Sequence, residues 1–385
     1  MPRINPEILA WARESAGLTI EEAARAVGLS GEGASARLAE METGDREPSR
    51  PQLLKMAERY RRPLLTFYMP VPPARGARTH DFRTLPHREA GSEAIIEALI
   101  RDVKLRQALV RDALEDAEEA EVLPFVASVN ARSGPDALAT AMREMLRFDR
   151  ATYRGAKSIE HAFGMLRDAV EATGVYVVLM GNLGHFRTNL SPRIFRGMAL
   201  ADPVAPFIVI NETDSKSAWP FTLLHELGHI LLGQSGISGY ESGQMIERLC
   251  DDAAARFLLD RDELQALTDF NDNVEDMVAG IGVFANARKV SRKMVAYNML
   301  KVGIIDATLY RRLAERFDED RRDFPKKPTG GSGPDYYVVR RHRVGSGLVN
   351  LVNRMLAGGA LTSTKAGKVL GVKPTAVGRM TERAG

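Results

Sequence analysis

The chain has 385 residues, 44% of them hydrophobic and 27% charged, with a formal net charge of +3. This length exceeds one ordinary domain and the apolar fraction is enough to build cores, which excludes a disordered or low-complexity chain. A single cysteine excludes an internal disulfide framework and fits a reducing compartment, while so small a net charge names no partner by itself.

No uninterrupted apolar stretch is long enough to cross a bilayer, and residues 1–10 lack the basic start and long apolar core of a signal peptide. The expectation is a cytoplasmic protein without membrane contact.

At the amino end, Ile8, Leu9 and Ala12 are spaced like one face of a helix that Gly17 ends. Thr19-Ile-Glu-Glu22 offers a capping box to a second, alanine-rich helix, and Gly28-Leu-Ser reads as the turn. A third helix over residues 33–41 takes the place of a recognition helix, and a fourth is predicted over 52–60. The order Ala-Arg-Glu-Ser-Ala-Gly-Leu-Thr19, then Glu42-Thr-Gly44, then Pro48-Ser-Arg-Pro-Gln-Leu53 resembles an XRE-type helix-turn-helix. That resemblance implies DNA contacts, for which Arg37, Arg46 and Arg50 are the candidates. Docking of a protein or formation of a homodimer is the competing role. Basic and acidic side chains nearly cancel over residues 1–75, and Glu40 and Glu42 would repel phosphate if they faced it.

Residues 70–78, rich in proline, read as a linker. Residues 94–121 have helical periodicity with dense alternating charge, which predicts a solvated helix or interdomain strut. Helices over 135–146 and 159–172 precede a strand at 175–179. Two more strands, at 198–201 and 207–210, predict a short sheet whose exposed edge takes up an extended peptide by strand addition.

The run Phe221-Thr-Leu-Leu-His-Glu-Leu-Gly-His-Ile-Leu-Leu232 carries the most specific chemistry. Two histidines at i and i+4 on a helix share a face one turn apart, so His225 and His229 can reach one metal ion while Glu226 approaches water beside it. Pro220 suits the first helical turn, and the surrounding leucines bury the helix, where ionisable groups need a partner such as a metal. Gly228 predicts a close approach by another backbone or by substrate. A catalytic zinc takes three protein ligands and keeps one position open, so a third ligand is expected downstream. Glu247 is the favoured candidate and Cys250 its rival. Asp251, one helical turn after Glu247, is placed to accept the free N–H of one histidine.

The segment Leu224-His-Glu-Leu-Gly-His229 followed by Glu247-Arg-Leu-Cys-Asp-Asp-Ala-Ala254 resembles the ImmA/IrrE-type metallopeptidases, and 195–211 is similar to the strand pair before their active helix. The resemblance implies that His225, His229 and Glu247 bind Zn2+ and that Glu226 is the general base. Asp260 stands where that family usually has a proline, a departure at a helix end. For the donor that stabilises the oxyanion, His185, Tyr240, Tyr336 and Tyr337 are candidates.

Beyond a capped helix over 290–300 and a Gly/Pro-rich break at 325–334, residues 348–380 repeat a helix-turn-helix-like pattern in a basic tail. The tail is read either as a nucleic-acid contact or as a solvated cap. The expected fold is multidomain and mainly α with a small β-sheet. It comprises a helix-turn-helix bundle (1–70), a helical linker region (71–150), an α+β zincin-like peptidase domain (151–322) and a basic helical C-terminal cap (323–385). The expected function is a zinc endopeptidase that cleaves a repressor or other regulatory protein. The alternative is a DNA-binding regulator whose peptidase fold senses a ligand or partner without turnover.

Overall fold

The computed structural model describes residues 4–72, 92–183, 188–192, 194–234, 241–268, 273–323 and 335–382. The expected linker beyond residue 72, the break at 325–334, His185 and Tyr240 lie outside them.

Four helices form the amino-terminal module: α1 (Pro6–Ser15), α2 (Ile20–Ala26), α3 (Ala34–Thr43) and α4 (Arg50–Arg59). The capping box of α2 is present, with Thr19 accepting from the Glu22 amide and Glu22 accepting from the Thr19 amide. Gly44 ends α3 at φ 89°, a left-handed conformation that disfavours a side chain. Ile8, Leu9, Ala12, Leu38, Met41, Leu53 and Met56 close a core of their own.

The body then runs through α5 (Ser92–Asp116), α6 (Gly134–Leu146), α7 (Arg150–Arg154), α8 (Ile159–Glu171), β1 (Tyr176–Leu179), β2 (Gly197–Leu200), β3 (Phe207–Ile210), α9 (Trp219–Leu231), α10 (Glu241–Leu258), α11 (Val274–Arg288), α12 (Arg292–Lys301) and α13 (Ala307–Asp323). It ends with α14 (Tyr336–Val344), α15 (Ser346–Ala357), α16 (Ser363–Leu370) and α17 (Val377–Thr381). The fold is therefore mainly α with one small sheet. No helix among the described residues is long and apolar enough to cross a membrane.

The sheet has the order β1-β3-β2, with β1 parallel and β2 antiparallel to β3. Alternate residues of each strand enter different cores. Val177, Leu179, Ala199, Ile208 and Ile210 pack with α6, α8, α9 and α10. Val178, Met198, Leu200, Phe207 and Val209 pack with α5, α15 and α16. Both faces are covered, which explains strands that read as continuous apolar runs rather than as alternation.

This second core corrects the expectation for α5. Leu99, Val103, Val110, Ala113 and Leu114 form a buried stripe, so the helix is a wall of the body and not a solvated strut. Most of its charges lie outside that stripe, where Arg111 joins Glu115 at 2.8 Å and Asp202 at 2.7 Å, while Arg106 is buried against α16. The basic tail likewise buries Leu348, Leu351, Val352, Val369, Leu370 and Met380 against the sheet. Its helix-turn-helix-like spacing thus reflects packing. Several of its cations are engaged internally: Arg341 donates to the Arg379 carbonyl, Arg343 to Glu212 and Arg354 to Glu119.

Candidate metal centre

Pro220 lies in the first turn of α9, where its missing N–H costs nothing, and the leucines that follow bury the helix on two sides. His225 and His229 therefore emerge one turn apart, with their Nε2 atoms 3.1 Å from each other. α10 packs against α9 through Gly228, where an added Cβ would sit 3.1 Å from Cys250 Sγ and 3.2 Å from Met142 Cε. The close approach expected at Gly228 is thus made by side chains of α10 and α6, and not by a backbone or substrate.

That contact sets the register of α10 and delivers Glu247. Its Oε2 is 3.2 Å from His225 Nε2 and its Oε1 is 3.3 Å from His229 Nε2. Among the described residues these three form the one His/Cys/Asp/Glu group able to hold a metal ion, with ligand atoms all within 4.8 Å of one another. The donor set fits zinc. Two imidazole nitrogens and a carboxylate oxygen, each about 2.0–2.2 Å from a shared tetrahedral ion, stand roughly 3.3 Å apart. Glu247 Oε1 and His229 Nδ1 are also buried without a hydrogen-bond partner. Cys250 is outside the group: it is fully buried, and burial, the largest influence, raises its thiol well above the ordinary range.

Asp251 Oδ1 lies 2.9 Å from His225 Nδ1, a charge contact directed off the axis of a good N–H hydrogen bond. Burial acts to lower His225, but Asp251 and Glu247 outweigh it and hold the imidazole well above its ordinary value. Burial also opposes ionisation of Glu247, yet the two histidines bring its carboxyl down to about 2. Glu226 behaves differently. It is 6% exposed, and burial raises its carboxyl against the pull of His225 and His229. It points across to β2, where Gly197 leaves room for it: an added Cβ would fall 2.5 Å from Glu226 Oε1 and 2.6 Å from Thr222 Cγ2. Sequence reasoning did not single out Gly197, because the expected strand began at 198; the structure makes it the first residue of β2, where a glycine marks a close approach.

Other candidates separate from this centre. Tyr336 and Tyr337 belong to α14, which packs with β1, α15 and α17, and Tyr337 lies beneath the Arg379 guanidinium. Neither has a hydrogen bond or ring contact with His225, His229 or Glu247 among the described residues. Asp260, in place of the proline, caps the following 3-10 helix reciprocally with Glu263 and receives Arg150. In the amino-terminal module Arg37 donates to the Ser30 carbonyl and Arg46 pairs with Glu40 at 3.3 Å. Arg50 is exposed at the start of α4. Glu42 is held inside by Arg13 at 2.8 and 2.9 Å and so does not present the carboxylate that would repel phosphate.

The architecture is thus a helix-turn-helix module joined to a body with a two-histidine, one-glutamate group of the kind found in metallopeptidases. The comparisons agree on both parts: residues 174–300 match the peptidase family described as IrrE N-terminal-like domain, and residues 9–67 match the helix-turn-helix family. The chain thus carries the XRE-type helix-turn-helix plus ImmA/IrrE-type peptidase architecture that its motifs resemble. The first match runs from just before β1 almost to the end of α12 and takes in Glu226 and all three candidate ligands. No curated protein and no solved structure matches the chain.

Proposed function

We propose that this chain is a cytoplasmic zinc-dependent endopeptidase that cleaves a repressor or other regulatory protein, with its helix-turn-helix module directing it to DNA or to its partner. The supporting observation is the placement of Glu226 beside the His225–His229–Glu247 group but outside it. A scaffold that only held metal would have no use for a buried carboxylate there.

His225, His229 and Glu247 would hold the zinc, which when bound would supply Lewis acidity to the scissile carbonyl and to water. Glu226 accepts the proton of the attacking water and returns it to the leaving nitrogen; its raised pKa suits both halves of that transfer. Asp251 keeps His225 oriented. The substrate lies along β2, an edge strand of the sheet. The Asn211 amide donates to the Arg196 carbonyl, which sets the ladder so that Met198 and Leu200 pair with β3. The backbone groups of Gly197 and Ala199 then face the free edge and bind an extended peptide beside Glu226.

The experiment combines metal analysis with a comparison of the proteins cut in cells carrying either wild type or Glu226→Gln. Glu226→Gln keeps zinc and loses cleavage, whereas His229→Ala loses both. Cleavage retained by purified Glu226→Gln overturns the assignment.

A further inference from the structure

A cavity of about 1320 Å³ separates the amino-terminal module from the body. Arg61, Arg62 and Thr66 form one wall, α5 and the tail helices form the others, and the carboxyl end of β1 closes the floor. Nine lysine and arginine side chains line it against two carboxylates, Asp102 and Glu212.

Part of that charge serves the fold. Arg106 pairs with Asp102 at 2.8 Å, and Arg343 with Glu212 at 2.6 Å, which engages both carboxylates. Arg106 and Arg340 also donate to the carbonyls of Val369 and Leu370 at the carboxyl end of α16, where cations are favoured. Among the described residues no ion pair links the remaining lining cations to Asp102 or Glu212. Arg101 reaches only Glu97, at 3.7 Å, and Lys104, Lys368 and Lys373 have no ion pair among the described residues. Arg62 stacks on Trp11 and donates from Nη2 to Ser15 Oγ at 2.8 Å, which leaves its Nε buried and unpartnered.

Like charges also meet across the gap. Arg61 and Arg62 feel Arg101, and burial first, then that repulsion, lowers both guanidiniums, Arg62 to about 10. Half-buried arginines facing one another, together with exposed lysines that have no ion pair among the described residues, set in a cavity larger than most small-ligand pockets, favour a multivalent anion. Guanidinium groups are suited to phosphate in particular. Tyr336 is 60% exposed on the same lining and offers an aromatic face for a planar base.

We infer that this cavity binds a nucleoside polyphosphate, with its phosphates between Arg61, Arg62, Arg101 and Lys104 and its base against Tyr336. The bound anion cancels the repulsion between the helix-turn-helix module and α5 and so holds the two together. This assignment is independent of the peptidase chemistry.

Calorimetric titration of the full-length protein with adenosine triphosphate, guanosine triphosphate and inorganic triphosphate tests it. Nucleotide binding is expected to weaken with salt, to fall roughly tenfold or more in Arg101→Gln/Lys104→Gln, and to fall about two- to threefold in Lys368→Gln/Lys373→Gln, whose lysines line the same cavity without holding the phosphates. Tyr336→Ala weakens nucleotide binding several-fold and leaves inorganic triphosphate unchanged, while Arg46→Gln, outside the cavity, changes nothing. Heat from phosphates chelating a bound metal is common to all variants and drops out of the comparison. Absence of nucleotide binding, or binding unaffected in both double variants with unchanged melting temperatures, overturns the site. Inorganic triphosphate binding as tightly as the nucleotides overturns the nucleotide assignment.

Discussion

Gly197 on β2 lies so close to Glu226 on α9 that a single methyl group on its Cα would stand 2.5 Å from the carboxylate oxygen. The edge strand and the proposed general base therefore occupy one tightly shared space. Gly197→Ala is expected to push Glu226 or β2 aside, with an overpacking cost of about 1–3 kcal/mol. Zinc content stays at the wild-type level, because Glu226 is outside the ligand group, while cleavage falls at least about tenfold from the misplaced base. Thermal melting and metal analysis read the first two outcomes without any knowledge of the substrate.

In the proposed centre Asp251 acts on the metal through His225. Asp251→Ala is expected to leave the three ligands in place and weaken zinc binding roughly 10–100-fold. Competition against a chromophoric chelator measures this, and unchanged affinity would assign Asp251 to surface charge alone.

Glu263 ties α7 to the region after α10, receiving Arg154 at 2.8 Å and Arg288 at 2.8 Å. Burial opposes its ionisation, but these partners and the Asp260 amide bring its carboxyl from 4.5 to about 2. A carboxyl lowered on folding adds stability above its unfolded value, and that stability is lost as pH falls from about 4.5 towards 2. Glu263→Gln should therefore be less stable than wild type near neutrality, by roughly 1–2 kcal/mol, and the gap should narrow with acid. Urea unfolding at a series of pH values shows whether it does.

Arg167 anchors the tail to the body. Its side chain pairs with Glu171 at 3.1 Å, with 6% and 3% of the two side chains exposed, and it donates to the carbonyls of Val177 on β1 and His342 and Arg343 on α14. Removing one partner of a buried, hydrogen-bonded pair costs about 3–5 kcal/mol. Arg167→Ala should lower the guanidinium midpoint accordingly, whereas a surface pair such as Lys216–Glu160 should cost under about 1 kcal/mol.

The helix-turn-helix arginines should be unequal in DNA binding. Arg37 is tied to Ser30 and Arg46 is neutralised by Glu40, which leaves Arg50 the freest of the three. Arg50→Ala in the full chain should weaken a gel shift more than Arg46→Ala and reduce the salt slope by about 1. Equal effects of the two substitutions would contradict this ranking.

What the sequence alone determined about this protein is local in the chain. The i, i+4 histidines, the Thr19–Glu22 capping box, the proline in the first turn of α9 and the spacing of Glu247 and Asp251 all depend on neighbours within one or two turns, so periodicity and capping reveal them. The same locality explains the misreadings. The alternating charges of α5 concealed a stripe that is buried only because the tail helices, more than two hundred residues later, cover the same face of the sheet. Local spacing left the direction of Glu42 open, and Arg13 on another helix draws it in. Only tertiary packing decided that Glu226 shares its space with Gly197, that Gly228 opens towards Cys250, and that cations from three distant segments surround one cavity. Each of these depends on how separate elements pack together, which local spacing does not encode.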